Sequence, residues 1–335
     1  MYLREDRAPK AHAMIVIRNL DDIRGKLANA VVTIGNFDGI HLGHREIFRR
    51  VRALASDRGG EAVVVTFVPH PVKLFTSLKK LRLITTYAEK EGLVEASGID
   101  YFIEIPFTEE FAALTPRDFV TSILLDMIGT KHLVIGYDYK FGSNRQGDVA
   151  LLRQMGEEFG FPVDVLAPIG AEGEVYSSTR IRQMVGDGDV KGVVRLLGRH
   201  FFLDGTVIHG HHRGKGLGFP TANLATDNEL IPKTGVYAVK VRIDDVMYDG
   251  ACNIGSNPTF GNDEVSIEVF IFNFAGDLYG RTLRVFYIDR VRDERRFAEV
   301  SALQQAIQSD VQRCSELLSN ASVIEFHETD GVLIQ

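Results

Sequence analysis

VVTIGNFDGIHLGH, residues 31–44, decides how the first half of this chain folds. Val31, Val32 and Ile34 form the β-branched, apolar run that a buried strand requires. Gly35 and Gly39 punctuate it, and His41 and His44 stand around Gly43 where a helix would begin. A strand feeding a glycine-bearing turn and a helix N-terminus aims backbone N–H groups and the positive end of the helix dipole at one spot. At i and i+3, the two histidines share a face of the first turn. The stretch predicts a phosphate site, with Gly35, Phe37, His41 and His44 against a nucleotide. The plain alternative is an ordinary βα loop with two solvated histidines, and the G-x-F-D-G ahead of H-x-G-H tells against it.

Outward from this stretch, β-type runs at 14–17, 30–34, 62–67, 101–105, 132–135 and 163–165 alternate with helical spacing. Ile47, Val51, Leu54 and Ala55 recur as one helix face does, and so do Phe119, Ile123, Leu124 and Met127. Thr115 followed by Pro116 reads as a cap and a proline at the first helical position. This alternation predicts an α/β doubly wound, Rossmann-like sheet, whose ligands bind beyond the carboxyl ends of the strands. TFVPHP (66–71), GYDYKFGSNRQGD (136–148) and YSSTRIR (176–182) all fall where such a ligand would lie. Ser177, Ser178 and Thr179 suit helix capping, while Arg180 and Arg182 suit a triphosphate clamp.

After 186–189 (GDGD) the texture changes to short alternating strands at 202–208, 236–243, 246–253, 266–272 and 282–288. An antiparallel β-barrel fits them. Residues 295–318 then read as a C-terminal helix with an apolar stripe of Phe297, Val300, Leu303, Ile307, Val311 and Leu317 or Leu318, to be packed on the barrel. Two domains are expected, 14–186 and 187–335, and residues 1–13 are expected to be an extension ahead of a functional start near Met14.

The barrel opens with HGHHRGKGLGFPTANL, residues 209–224. Gly210, Gly214, Gly216 and Gly218 let backbone approach a polyphosphate, and Arg213 and Lys215 offset its charge. The spacing around Lys215 is not that of a Walker motif. His209, His211 and His212 are read as solvated residues, not a metal set. Thr221 and Asn223, two apart on an extended segment, offer neutral oxygens to a magnesium ion already held by nucleotide phosphates; a plain edge turn after Pro220 is the alternative. Glu268 sits inside an apolar strand, where an unpaired carboxylate costs several kcal/mol. It is either a general base or an outward residue paired with an arginine such as Arg284, and its face stays open.

Composition narrows the classes. The 335 residues suffice for two cores. With 38 basic and 45 acidic residues the net charge is −7, without a basic block, which argues against a nucleic-acid footprint. No run is long and apolar enough to suggest a membrane span. Two cysteines, Cys252 and Cys314, are too few for a disulfide framework and read as inert residues of a cytoplasmic protein. Self-association is left open.

GNFDGIHLGH resembles the signature of the HxGH nucleotidylyltransferases in its bacterial flavin adenylyltransferase form, and the other three strings follow in that family's order. The resemblance implies that His41 and His44 hold the ATP phosphates and act on the α-phosphate, that Ser178, Thr179 and Arg182 enclose the nucleotide, and that Asn36, Asp38 and Asp138 face the flavin. GFPTAN, NPTF and DLYG resemble the riboflavin kinase module. That likeness implies Thr221 and Asn223 as Mg²⁺-ATP ligands, Glu268 as the base on the riboflavin hydroxyl, the 210–218 loop over the phosphates, and Asn257, Thr259, Phe260, Arg296 and Phe297 around the flavin ring.

Together the motifs resemble the bacterial bifunctional riboflavin kinase/FMN adenylyltransferases. ATP, Mg²⁺ and the flavins riboflavin, FMN and FAD are the expected small-molecule partners. Two other readings stay open: an adenylyltransferase for another phosphate with a fused binding barrel, and a flavin-binding regulator with a decayed site.

Overall fold

The computed structural model describes residues 13–75, 81–171, 173–210, 218–257 and 264–326. Residues 1–12 of the expected extension, with Arg213, Gly214, Lys215, Gly216, Thr259 and Phe260, lie outside that set. The chain divides into two units, one of residues 1–81, 87–176 and 327–335 and the other of 82–86 and 177–326.

In the first unit, β1 (Ile15–Ile17), β2 (Ala30–Ile34), β3 (Ala62–Val68), β4 (Tyr101–Pro106), β5 (Thr130–Gly136) and β6 (Val163–Leu166) form one parallel sheet in the order β1-β4-β3-β2-β5-β6. All five residues of β2 are buried, as a strand covered on both faces must be. From β2 the chain winds outward through β3 and β4, then returns to place β5 on β2's other side. The β2/β5 boundary is therefore the topological switch point, and residues 35–41 leave the carboxyl end of β2 there. Ile34, Val63, Val65, Ile103, Leu133 and Ile135 make the centre of the core against Phe119, Val120 and Leu124. Thr115 caps as expected, its hydroxyl accepting from Asp118 N–H with Pro116 next, but the helix continues over Phe119–Met127 as a π-helix that periodicity does not reveal.

A two-stranded piece, β7 (Gly170–Ala171) and β8 (Glu174–Val175), follows β6. In the second unit, β9 (Phe202–Ile208), β10 (Ala222–Ala225), β11 (Gly235–Ile243), β12 (Val246–Asn257), β13 (Glu264–Ile271) and β14 (Thr282–Arg292) close into an antiparallel barrel in the order β10-β13-β12-β11-β14-β9. Tyr237, Val239, Val241, Cys252, Ile254, Ile267, Val269, Val285 and Tyr287 are all buried. β10 is the barrel strand not among those expected: its segment was read only as extended, because ANLA holds no β-branched or aromatic residue to mark a strand.

The last helix is Val300–Leu318, not 295–318. Glu299 is extended, and the preceding residues follow Arg292, whose guanidinium lies 5.9 Å over the Phe297 ring. Val300 is exposed, contrary to the expected stripe; Asp310, Cys314 and Leu318 are the helix's buried residues, and Cys314 and Leu318 close a second core with Phe202, Ala238, Phe286 and Ile288. Burial pushes the Cys252 and Cys314 thiols up to about 12, which leaves both inert as nucleophiles at neutral pH.

Candidate functional sites

Residues 35–41 form a tight turn in the first unit. Phe37 (φ 45°), Gly39 (φ 86°) and Ile40 (φ 40°) are left-handed, strained for the two bulky residues, which are held by burial at 3 % and 0 % exposure. The turn delivers His41 to the N-cap of the Leu42–Arg58 helix, where its Nδ1 accepts the His44 N–H at 3.3 Å. An accepting Nδ1 fixes the neutral tautomer with its proton on Nε2, a donor suited to a phosphate oxygen. The two imidazoles stack with centroids 3.6 Å apart, and Phe37 meets the His44 ring edge-on at 5.2 Å. Gly43 makes this possible: a Cβ there would lie 3.1 Å from His41 Cε1 and Nδ1. A helix N-terminus and paired imidazoles together suit an anion that gains charge during reaction.

Of the predicted flavin contacts in this unit, Asp38 is buried, Asn36 is half-buried and Asp138 is exposed just after β5. The Asn36 carbonyl accepts from Thr66 Oγ1 at 3.3 Å and from Lys90 Nζ at 2.8 Å. Sequence reasoning missed Lys90. It also missed a chain of rings running from the carboxyl ends of β3 and β4: Phe67, Phe75 and Phe111 each lie within 6.0 Å of Phe107, and Phe119 and Phe141 continue the row. Phe75 is 66 % exposed, so part of this aromatic surface faces solvent.

The Ser-Ser-Thr-Arg string belongs to the second unit. Ser177 is the N-cap of the Ser178–Asp187 helix, accepting Arg180 N–H at 3.2 Å, as the capping reading requires. Ser178 and Thr179 occupy its first turn, and Arg182 Nε donates to the Arg82 carbonyl at 2.9 Å.

On the barrel, Glu268 of β13 stands between Asn223 of β10 and Asn253 of β12 in one cross-strand row. Ile267, Val269 and Ile271 point inward, so Glu268 shares the outer face with Ser266 and Phe270. Thr221 Oγ1 donates to Glu268 Oε2 at 3.3 Å. Arg284 instead forks onto Asp204 with two 2.7 Å bonds, which removes the ion pair considered for Glu268. Gly210 packs so closely on this row that a Cβ would fall 2.2 Å from the Asn223 amide nitrogen. Phe219 of GFPTAN meets Phe270 edge-on at 5.5 Å. His209, read as solvated, stacks at 3.9 Å on Tyr279 of DLYG. Gly218 is exposed on the loop's described edge, the backbone of Asn257 ends β12, and Arg296 and Phe297 lie between β14 and the last helix. Asn253 is the residue here that sequence reasoning passed over, because its place beside Glu268 depends on strand register.

A doubly wound sheet with paired histidines at its switch point, followed by a barrel on which a threonine hydroxyl meets a carboxylate set between two amides, defines a two-site nucleotide-handling protein. Known proteins give this class its family. Residues 24–180 match the FAD synthetase family and residues 197–318 match the riboflavin kinase family. The bifunctional riboflavin kinase/FMN adenylyltransferase of Pseudomonas fluorescens is 38% identical over 89% of this chain and 96% of its own, and that of Escherichia coli K12 is 35% identical over 89% and 96%. A crystal structure described as a macrolide-efflux protein from Streptococcus pneumoniae superposes with a TM-score of 0.83 at 35% identity, covering 93% of this chain and 100% of that one. This chain belongs to the bifunctional riboflavin kinase/FMN adenylyltransferase family. No helix among the described residues is long and apolar enough to cross a membrane.

Proposed function

We propose that the barrel transfers the γ-phosphoryl group of ATP to the 5′-hydroxyl of riboflavin, giving FMN and ADP, and that the α/β half joins FMN to the AMP of a second ATP, giving FAD and pyrophosphate. The observation that carries the reading is the Thr221–Glu268 contact within the Asn223–Glu268–Asn253 row, in a chain that also holds the stacked His41–His44 pair. Glu268 accepts the proton of the riboflavin hydroxyl as its oxygen attacks the γ-phosphorus, a step worth roughly 10²–10⁴-fold. Thr221 orients that carboxylate. Gly210, Lys215, Gly216 and Gly218 cover the phosphates, and Asn257, Thr259, Phe260, Arg296 and Phe297 enclose the isoalloxazine ring.

The donor set suits magnesium: Thr221 and Asn223 present hard oxygens beside Glu268, and Gly210 leaves room for the Asn223 amide. No group of three His, Cys, Asp or Glu among the described residues could cage a metal alone, so the ion would be shared with ATP. Bound there, it supplies neutralisation of the β- and γ-phosphate charge.

In adenylyl transfer the FMN phosphate is already ionised and needs no strong base. It attacks the α-phosphorus in line, and pyrophosphate departs. His41 and His44, the first-turn N–H groups, Gly35 and Phe37 position the ATP phosphates, with Ser177, Ser178, Thr179 and Arg182 as further nucleotide contacts. Asn36, Asp38 and Asp138 serve the flavin side, and the ring row of Phe67, Phe75, Phe107 and Phe111 offers its aromatic face. We place the reactions in the cytoplasm and assign residues 14–186 and 187–335 to the two activities.

The test is a time course with riboflavin, ATP and magnesium, its products separated by chromatography. FMN should rise first and give way to FAD. Flavin that binds without ATP consumption would remove the reading.

A further inference from the structure

Among the described residues, Lys90 is the most deeply buried charge that the proposed chemistry leaves unused. Lys90, on the Tyr87–Glu95 helix, is 1 % exposed, and its Nζ donates to the Asn36 carbonyl at 2.8 Å. The charged groups facing it are Asp38 and Glu104, both buried. Glu104 in turn accepts from Arg18 Nε at 2.9 Å, and Arg18 also holds Glu91. Burial pulls the Lys90 ammonium below its ordinary pKa, with Asp38 and Glu104 opposing that pull. The same helix also reaches the neighbouring TFVPHP string, where Tyr87 Oη accepts the His70 N–H at 3.1 Å.

Burying an ammonium costs several kcal/mol unless it is paired and hydrogen-bonded. A leucine or methionine would fill the same volume without that cost, as Leu93 and Val94 do elsewhere on this helix. The partner explains the choice. The Asn36 carbonyl lies at the joint between β2 and the left-handed turn of Phe37, Gly39 and Ile40, and that turn ends in His41. With Thr66 Oγ1 beside it, Lys90 fixes the carbonyl from below and so fixes the direction in which the turn leaves the sheet.

We propose that Lys90 is a positioning residue of the adenylyl-transfer site, holding the 36–40 turn in the shape that presents His41 and the helix N-terminus to the ATP phosphates. Lys90 touches no substrate; it acts through the loop. The inference rests on the adenylyl-transfer reading above.

The experiment compares full-length wild type with Lys90→Met, which keeps reach but loses the donor, with Lys90→Arg and Lys90→Gln, which keep an N–H donor, and with Val94→Ala as a packing control on the same helix. FAD formation from FMN and ATP, FMN formation from riboflavin and ATP, and the melting temperature are measured for each. For Lys90→Met, kcat for FAD formation should fall at least roughly tenfold, the loss of one hydrogen bond from a charged donor, while KM for FMN and the kinase rate change by less than about twofold. At least one donor-bearing variant should regain part of the lost kcat, and Val94→Ala should melt earlier with kcat retained. Wild-type kcat in Lys90→Met, equal losses in all three Lys90 variants, or a matching kcat loss in Val94→Ala would overturn the inference. A wild-type chain that makes no FAD overturns the adenylyl-transfer reading itself, an outcome separate from an active wild type with an equally active Lys90→Met.

Discussion

Glu268 and Lys90 are charges held by polar partners: Glu268 takes the Thr221 hydroxyl between Asn223 and Asn253, and Lys90 donates to the Asn36 carbonyl. In the sequence Glu268 stands out as a carboxylate between Ile267 and Val269, and the fold answers its cost by turning it to the outer face of the barrel while those two residues point inward. Lys90 lies in YAEKEGLVE, where charges at helical spacing read as a solvated face, and only the fold turns that face onto the GNFDG turn. Glu268→Gln keeps the shape and the Thr221 contact but cannot take a proton. FMN formation should drop roughly 10²-fold or more while ATP binding, followed by titration calorimetry, stays within a few-fold of wild type. Gly43→Ala separates stability from alignment at the other site. Alanine favours a helix by up to about 1 kcal/mol over glycine, so the variant should not melt earlier. Its Cβ, 3.1 Å from the His41 ring, requires that ring to shift by a few tenths of an ångström from its stack on His44. The expected result is FAD formation down about tenfold with unchanged FMN formation, read from initial rates of each reaction.

At the scale of elements, β-branched and apolar runs were readable even where short, as in β1 and β6, and a strand without them was not. β2 and β9 were legible to the residue. β10 was missed because ANLA holds no β-branched or aromatic residue, and the register that sets Asn223 and Asn253 beside Glu268 is a property of three strands at once. The final helix shows the same limit. Its expected stripe omitted Asp310 because a carboxylate is not an apolar position, yet Asp310 sits in the buried seam, receiving Arg292 Nε at 2.8 Å and Nη2 at 2.5 Å. The pair ties β14 to the helix from well-buried side chains, so removing one partner strands a charge. Asp310→Ala should cost about 3 kcal/mol, seen as a lower urea midpoint for loss of kinase activity, and Arg292→Leu with Asp310→Leu should recover much of it. A double variant as unstable as the single one would mean that packing, not charge, dominates the seam.

At the scale of the whole molecule, each unit carries a core of its own: Ile34, Val65, Ile103 and Ile135 inside the parallel sheet, and Val239, Ile254, Val269 and Tyr287 inside the barrel. Composition shift and motif order made that duality readable, since a parallel α/β pattern and an antiparallel one cannot share a sheet edge without leaving a visible change of period. Separate cores predict separable chemistry. His44 stacks on His41 and meets Phe37 in the first unit, and none of these residues enters the barrel row. His44→Ala removes one donor from the charge developing at the α-phosphate, a loss of roughly 100-fold in FAD formation. The kinase should run on, so a mixture of riboflavin, ATP and magnesium should stop at FMN. Glu268→Gln should give the mirror image, idle on riboflavin but making FAD when FMN is supplied. Mixing the two variants should then restore the full sequence through released FMN, because each chain supplies the step that the other lacks. Restoration far below the rate set by the slower active site would mean instead that FMN passes between sites within one chain, and the two activities would have to be treated as coupled.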